Sequence, residues 1–130
     1  MKERQLTLRL LKQTFAIHSL PPESAIPNEL FNAPIYFLAK TYDEVSLVLP
    51  QDISIASEDV EKDWRALEVV GPLDFSLTGI MSRISSTLAN EKISIFAIST
   101  FDTDYVLVKE NTVEQAINAL TNNQYKIIRD

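Results

Sequence analysis

A chain of 130 residues, 45% of them hydrophobic, is long enough to bury one core or two small modules, which excludes a disordered or fibrous chain. Its 12 basic and 18 acidic residues give a formal charge of −6. The basic residues are scattered, without the cluster that tracks phosphates, so neither nucleic acid nor an anionic membrane surface is an expected partner.

With no cysteine, disulfides, thiolate metal sites and cysteine nucleophiles drop out together. The opening residues Met1–Leu10 interleave charges with apolar side chains, unlike a signal peptide. No run approaches the roughly 20 apolar residues of a membrane span. The expectation is a soluble, cytoplasmic protein.

In chain order, Gln5–Leu11 alternates, with Leu6, Leu8 and Leu10 on one face, and Phe15–Leu20 reads as its partner strand. Ile35–Thr41 and Glu44–Leu49, separated by Tyr42-Asp43, read as a hairpin. Helical signal here is confined to one or two turns at Ser24–Phe31 and again at Ser57–Asp63. Trp64–Val70 is strand-like, Gly71-Pro72 breaks the chain, and Thr78–Asn90 follows as an amphipathic helix with Leu77, Ile80, Met81, Ile84 and Leu88 on one face.

Ile93–Thr100 and Asp104–Lys109 form the next strand pair, rich in Ile, Val, Phe and Tyr. Both faces of the first are apolar, Ile93, Ile95 and Ala97 on one side and Phe96 and Ile98 on the other, so the second face is expected to meet another sheet or chain. A second helix starts at Thr112, where Thr112 and Gln115 have capping-box spacing ahead of the stripe Val113, Ala116, Ile117 and Leu120. Asn122-Asn123 is the expected left-handed stop, and Tyr125–Ile128 the last strand. From Trp64 onward the order is β-α-β-β-α-β, the ferredoxin-like arrangement. The first half reads as a weaker copy, giving an α+β fold with a boundary between residues 1–63 and 64–130.

Two stretches carry candidate chemistry. In the first, Asp74, Phe75, Ser76, Leu77, Thr78, Gly79 and Ile80 lead into a helix. A glycine in a first helical turn costs roughly 1 kcal/mol relative to alanine, so Gly79 asks for a reason. Close approach of a ligand is one, with an α-carboxylate held by the free N–H groups near Thr78 and Gly79. Tight helix-on-sheet packing, with Ser76 or Thr78 as a plain N-cap, is the other.

The second stretch, Ser99–Asp104 with Ser99, Thr100, Phe101, Asp102 and Asp104 as its candidate residues, lies between two strands, where aspartate and threonine commonly tie a turn. As a ligand loop it offers a carboxylate to an ammonium or cationic side chain, and Phe101 as an apolar or cation–π wall. A calcium site falls short, since two carboxylates do not supply the six or so oxygens needed. A catalytic acid pair would need two differently tuned carboxylates facing one cleft.

The segment Gly71–Leu120, and most specifically Phe75-Ser76-Leu77-Thr78-Gly79-Ile80 and Ile98-Ser99-Thr100-Phe101-Asp102-Thr103-Asp104-Tyr105, resembles the C-terminal module of small tandem ACT-domain proteins related to the mammalian arginine-sensor (CASTOR) family. The resemblance implies two ferredoxin-like ACT modules in tandem, the first degenerate and strand-rich, that bind an amino acid where the glycine loop faces a neighbouring module. It implies a homodimer through the C-terminal modules, since the arginine sensor resembles two such units in one chain. Phe101 and Asp104 carry over as ligand contacts. The sensor's pocket has an acid in the glycine loop where this chain has Leu77, which argues against arginine.

Other residues carry little chemistry. His18 sits within an expected strand, and one histidine cannot build a zinc site without other strong ligands. Trp64 suits core or inter-module packing, and Glu58–Asp63 a solvated short helix or linker. No P-loop, nucleophile elbow or dinucleotide fingerprint is present. The expectation is a non-enzymatic regulatory module that binds an amino acid without cofactor or metal; the alternative is an ACT-like assembly module with no ligand.

Overall fold

The computed structural model describes residues 5–71 and 79–130. They form two compact units: Gln13–Trp64 is one, here the inserted unit, and the residues up to Lys12 together with Arg65–Asp130 are the other, the host unit. The elements in chain order are β1 (Thr7–Leu20), a 3₁₀ turn (Asn28–Asn32), β2 (Phe37–Lys40), β3 (Val45–Pro50), β4 (Asp59–Gly71), α1 (Ile80–Asn90), β5 (Ile95–Ser99), β6 (Asp104–Lys109), a 3₁₀ turn (Glu110–Thr112), α2 (Val113–Asn122) and β7 (Lys126–Arg129).

In the host unit the expected β-α-β-β-α-β order from β4 onward is present. Its strands run β5-β6-β4-β1, with β7 also on β1. The N-terminal stretch is thus a fifth strand, and Thr7–Leu10 pairs in parallel with Lys126–Arg129. Period-two alternation sends Leu6, Leu8 and Leu10, Leu67 and Val69, and Val106 and Val108 to one face. There they pack with Ile80, Ile84 and Leu88 of α1 and Val113, Ala116, Ile117 and Leu120 of α2. Each such leucine contributes on the order of 2 kcal/mol by leaving water.

Both helices end in the same way. Ile93 N–H donates to Leu88 O at 3.0 Å and Lys92 N–H to Ala89 O at 2.9 Å, with Lys92 at φ 60°. After α2, Tyr125 N–H donates to Leu120 O at 3.1 Å and Gln124 N–H to Thr121 O at 3.2 Å, with Gln124 at φ 74°. These are Schellman closures. The left-handed stop expected at Asn122-Asn123 therefore falls on Gln124, while Asn123 keeps φ −106° and its side-chain amide donates to Ala119 O. At the other end of α2 the expected capping box does not form: the Thr112 hydroxyl donates to Lys109 O, and Gln115 Nε2 to Glu91 O. The 3₁₀ turn ahead of α2 aims Thr112 backward along the chain, away from the helix it precedes.

The inserted unit holds the expected hairpin, with β2 and β3 antiparallel from Phe37↔Val48 to Lys40↔Val45. Thr41 closes it: its N–H donates to Glu44 O, and its hydroxyl oxygen accepts from the N–H groups of Asp43 and Glu44. β3 also pairs antiparallel with Phe15–Leu20. Leu20, Leu30, Val45, Leu47 and Leu49 form the core, edged by Ile26, Tyr36, Ile53 and Ile55.

Two expectations fail in this stretch. Gln5–Leu11 and Phe15–Leu20 are not partner strands but parts of one 14-residue strand. Lys12-Gln13-Thr14 offers no Gly, Pro, Asn or Asp to reverse the chain. Ser57–Asp63 is not helical either, because β4 begins at Asp59 and strand pairing overrides a weak local helix preference. Asp63 departs from strand geometry at φ 67°, a conformation held by Gln51: Asp63 N–H donates to its Oε1 at 2.8 Å, and its amide donates to Asp63 Oδ1 at 3.0 Å.

Candidate functional site

Of the sequence-predicted site residues, Asp74, Phe75, Ser76, Leu77 and Thr78 lie outside the described residues. Gly79 occupies the N-cap position of α1 at φ 76°, ψ 9°, and the helix begins at Ile80. The expected helix from Thr78 thus starts two residues later, and Gly79 is ahead of the first turn. Its glycine identity follows from the left-handed backbone. A side-chain carbon built there meets no heavy atom within 4 Å among the described residues, so crowding is not the reason. The Gly79 carbonyl accepts the Arg83 N–H at 2.9 Å, and no acidic side chain sits in the first turn of α1. The first amide hydrogens of the helix have no intrahelical partner, and the helix dipole places positive potential there. Ile80 points into the core at 6% exposure.

The second stretch is a tight β5–β6 hairpin closed by the register pair Ser99↔Asp104. Threonines tie it. Thr100 N–H and the Thr100 hydroxyl both donate to Thr103 O, at 2.8 and 3.1 Å, and Thr103 N–H donates to Thr100 Oγ1 at 3.2 Å. The turn-tying role open to aspartate on sequence grounds is therefore filled without Asp102 or Asp104. Asp104 is half-buried, Ser99, Thr100 and Asp102 are exposed, and Phe101 stands at the tip 84% exposed.

Thr103 was not singled out as a site residue, yet it fixes the position of the hairpin. Its hydroxyl donates to Val69 O at 2.5 Å, anchoring the turn to the end of β4 from which the glycine loop departs. Only the spacing of the two threonines around Phe101-Asp102 hinted at this. Val70, the next residue of β4, is 42% exposed. Among the described residues, Val70 and Phe101 are the large apolar side chains that the host unit leaves exposed.

Ile93, ahead of β5, and Ile95 on it join the helix-side core, Ala97 is exposed, and Phe96 and Ile98 on the second face are half-buried opposite Leu107 and Tyr105. A polar chain that sequence reading did not find crosses the sheet: Tyr105 OH donates to Glu68 Oε2 at 3.3 Å, Arg9 Nη1 meets Glu68 Oε1 at 3.2 Å, and Arg9 Nε lies 3.7 Å from Asp130 Oδ1. Burial, then the Glu68 charge, pushes the Tyr105 hydroxyl above its ordinary pKa. Its members are scattered along the sequence, so no local spacing signals it.

His18, in the inserted unit, is 5% exposed, with Nδ1 2.6 Å from Ser57 Oγ. Burial, then the Lys62 charge, lowers its pKa. Trp64 is buried within β4. Among the described residues no group of three or more His, Asp or Glu could hold a metal ion, and no helix is long and apolar enough to cross a membrane.

Residues 59–122 match the family model of the ACT domain. The chain is similar to a rat protein named cytosolic arginine sensor for mTORC1 subunit 1, 30% identical over 125 residues, covering 88% of this chain and 38% of the rat protein. It thus spans well under half the length of that relative. Among solved structures, protein Atu0741 from Agrobacterium tumefaciens superposes with a TM-score of 0.90 at 29% identity, covering 98% of this chain and 96% of that one. The regulatory subunit of aspartate kinase from Thermus thermophilus shares the fold, with a TM-score of 0.60 at 14% identity over 85% and 92% of the two chains.

Proposed function

Given that the chain carries an ACT domain and is related in sequence to cytosolic arginine sensors, we propose that it is a non-enzymatic regulatory protein that binds an amino acid. The observation that carries this reading is the hairpin closed by Thr100 and Thr103, which leaves the Asp102 and Asp104 carboxylates to other uses at the end of β4. In this reading the amide hydrogens at the start of α1, beyond Gly79, hold the α-carboxylate. Asp104 accepts from the α-ammonium, and Phe101 lies against the ligand side chain. Asp74, Phe75, Ser76, Leu77 and Thr78, outside the described residues, are further ligand contacts by family resemblance, with Ile80 as apolar floor and Ser99, Thr100 and Asp102 as rim. Leu77 in place of an acid favours an uncharged side chain over arginine.

The protein acts in the cytoplasm as two ACT-like modules in tandem, divided along the sequence at residues 1–63 and 64–130, with Thr7–Leu10 of the first half completing the sheet of the second. It assembles as a homodimer through the C-terminal modules, and that contact covers the exposed Val70 and Phe101. Regulation is linkage: ligand bound at the module contact stabilises one arrangement, which a partner reads. Calorimetric titration with each of the twenty amino acids tests this. One or more is expected to bind with Kd of about 1 mM or tighter, and Asp104→Ala is expected to abolish binding with the fold intact. A folded dimer that responds to none of them leaves the second reading, an assembly module alone, which the exposed Phe31, Leu38 and Tyr42 of the inserted unit favour.

A further inference from the structure

An α-amino acid carries its ammonium and its carboxylate on one carbon, so covalent bonds set their separation and the protein has to match it. With the carboxylate at the start of α1 and the ammonium at Asp104, the two anchors reach the ligand from different elements. α1 is the next element after β4 in the chain, whereas Asp104 opens β6 at the base of the hairpin. Their spacing therefore depends on what holds the hairpin to the end of β4.

Thr103 supplies that hold. Its hydroxyl donates to Val69 O at 2.5 Å, one residue ahead of β6, and so ties the turn to β4 before the strand begins. Its remaining backbone groups are used within the turn: the carbonyl accepts from the Thr100 N–H and hydroxyl, and the N–H donates to Thr100 Oγ1. A residue with its donors committed in this way suits holding a site more than touching a ligand. Thr103 is half-buried and Val69 is 1% exposed, so water is a poor replacement for a missing hydroxyl. Branching at Cβ also restricts χ1, which presets the direction of the hydroxyl.

On the other side of Asp104, Tyr105 OH donates to Glu68 Oε2 at 3.3 Å, so the carboxylate stands between two ties to consecutive residues of β4. The Tyr105 bond is longer and joins two side chains, each with its own rotamers. The Thr103 bond ends on backbone and is the stiffer of the two. Binding groups work when they are held within roughly 0.5 Å of the productive geometry.

Resting on the amino-acid-binding reading, we propose that Thr103 is a positioning residue of that site: its bond to the Val69 carbonyl sets the reach of Asp104 toward the start of α1, and with it the affinity for the ligand.

Calorimetric titration of the full chain, with whichever of the twenty amino acids binds the wild type most tightly, tests the proposal. Thr103→Val keeps the side-chain shape without the hydroxyl and should raise Kd about tenfold, roughly 1.4 kcal/mol, while circular dichroism stays that of the folded chain. Thr103→Ala should show the same loss, and Thr103→Ser, which restores the hydroxyl, should return Kd to within about threefold of the wild type. Thr112→Val removes a comparable bond, from its hydroxyl to Lys109 O at the other end of β6, and should leave Kd within about twofold. In the absence of ligand, ¹⁵N relaxation at the Asp104 amide should report a looser hairpin in Thr103→Val than in the wild type. An unchanged Kd in Thr103→Val and Thr103→Ala, an equal loss in Thr112→Val, or a loss that Thr103→Ser does not recover would overturn the role of Thr103 and leave the amino-acid site standing. A wild type that binds none of the twenty would instead remove the site, and this role with it.

Discussion

The two units are held by different means. In the host unit, helices α1 and α2 lay regular stripes on alternating strand positions, and the core is a set of leucines, valines and isoleucines joined through one layer. In the inserted unit the only helix among the described residues is a 3₁₀ turn, Leu30 alone of that turn reaches the core, and polar side chains do much of the fixing: Thr41 at the hairpin, Gln51 on Asp63, Ser57 on His18, and Ser19 on Glu44. A periodic apolar pattern can build a unit with few specific bonds, whereas one without helices relies on particular pairs that substitution can delete singly.

The comparison can be broken first at the cores. Leu88→Ala in the host unit and Leu47→Ala in the inserted unit, both fully buried, should each cost about 2–5 kcal/mol. Both α-helices lie in the host unit and Trp64 in the other, so helical circular dichroism should report chiefly the first substitution and tryptophan fluorescence the second. Denaturation curves that shift equally by both probes would make the units one cooperative body.

Next is Gly79→Ala, expected to cost about 1 kcal/mol because the left-handed backbone penalises a side chain that has ample room. Gly79→Asn should cost less, and thermal melts of the two variants decide it. Thr103→Val should cost about 1 kcal/mol through the Val69 carbonyl it leaves behind. Faster amide exchange at Thr100 is the local readout.

Smaller still is an acid effect confined to the inserted unit. The folded-state pKa of His18 is depressed, so the folded chain resists taking up the proton that the unfolded chain accepts. Stability should be full above the unfolded value of about 6.5 and decline as pH falls from there toward the depressed value. Tryptophan-monitored unfolding at a series of pH values, with His18→Gln flattening that limb, checks it. Phe101→Ala, at a site 84% exposed, should leave the stability of the chain within about 0.5 kcal/mol and act on ligand affinity and on the dimer contact, read by calorimetric titration and light scattering.

What could be read in advance follows the same division. Leu6, Leu8, Leu10 and the stripe Ile80, Ile84, Leu88 announce their period within a few residues, and the structure uses them that way. The continuity of β1 and the strand at Asp59–Asp63 depend on pairing with distant segments, which local propensity does not encode. Backbone sign is similarly hidden: Gly79 signalled that something unusual was needed, but whether space or a positive φ was not written in its neighbours. The hairpin at Ser99–Asp104 is legible as a turn between strands, while which side chains tie it depends on the backbone path of the turn, which residue types alone do not specify. The ligand-site assignment rests on the resemblance to the arginine-sensor family.

The split pairing of β1 sets a timetable for synthesis. Phe15–Leu20 finds its partner β3 once Pro50 has emerged, but Thr7–Leu10 must wait for Lys126–Arg129. At about 5–20 residues per second, that interval is roughly 4 to 16 seconds. During it Leu8 and Leu10 lack the partner strand that flanks them in the finished fold. The same strand is therefore completed twice, early at one end and late at the other.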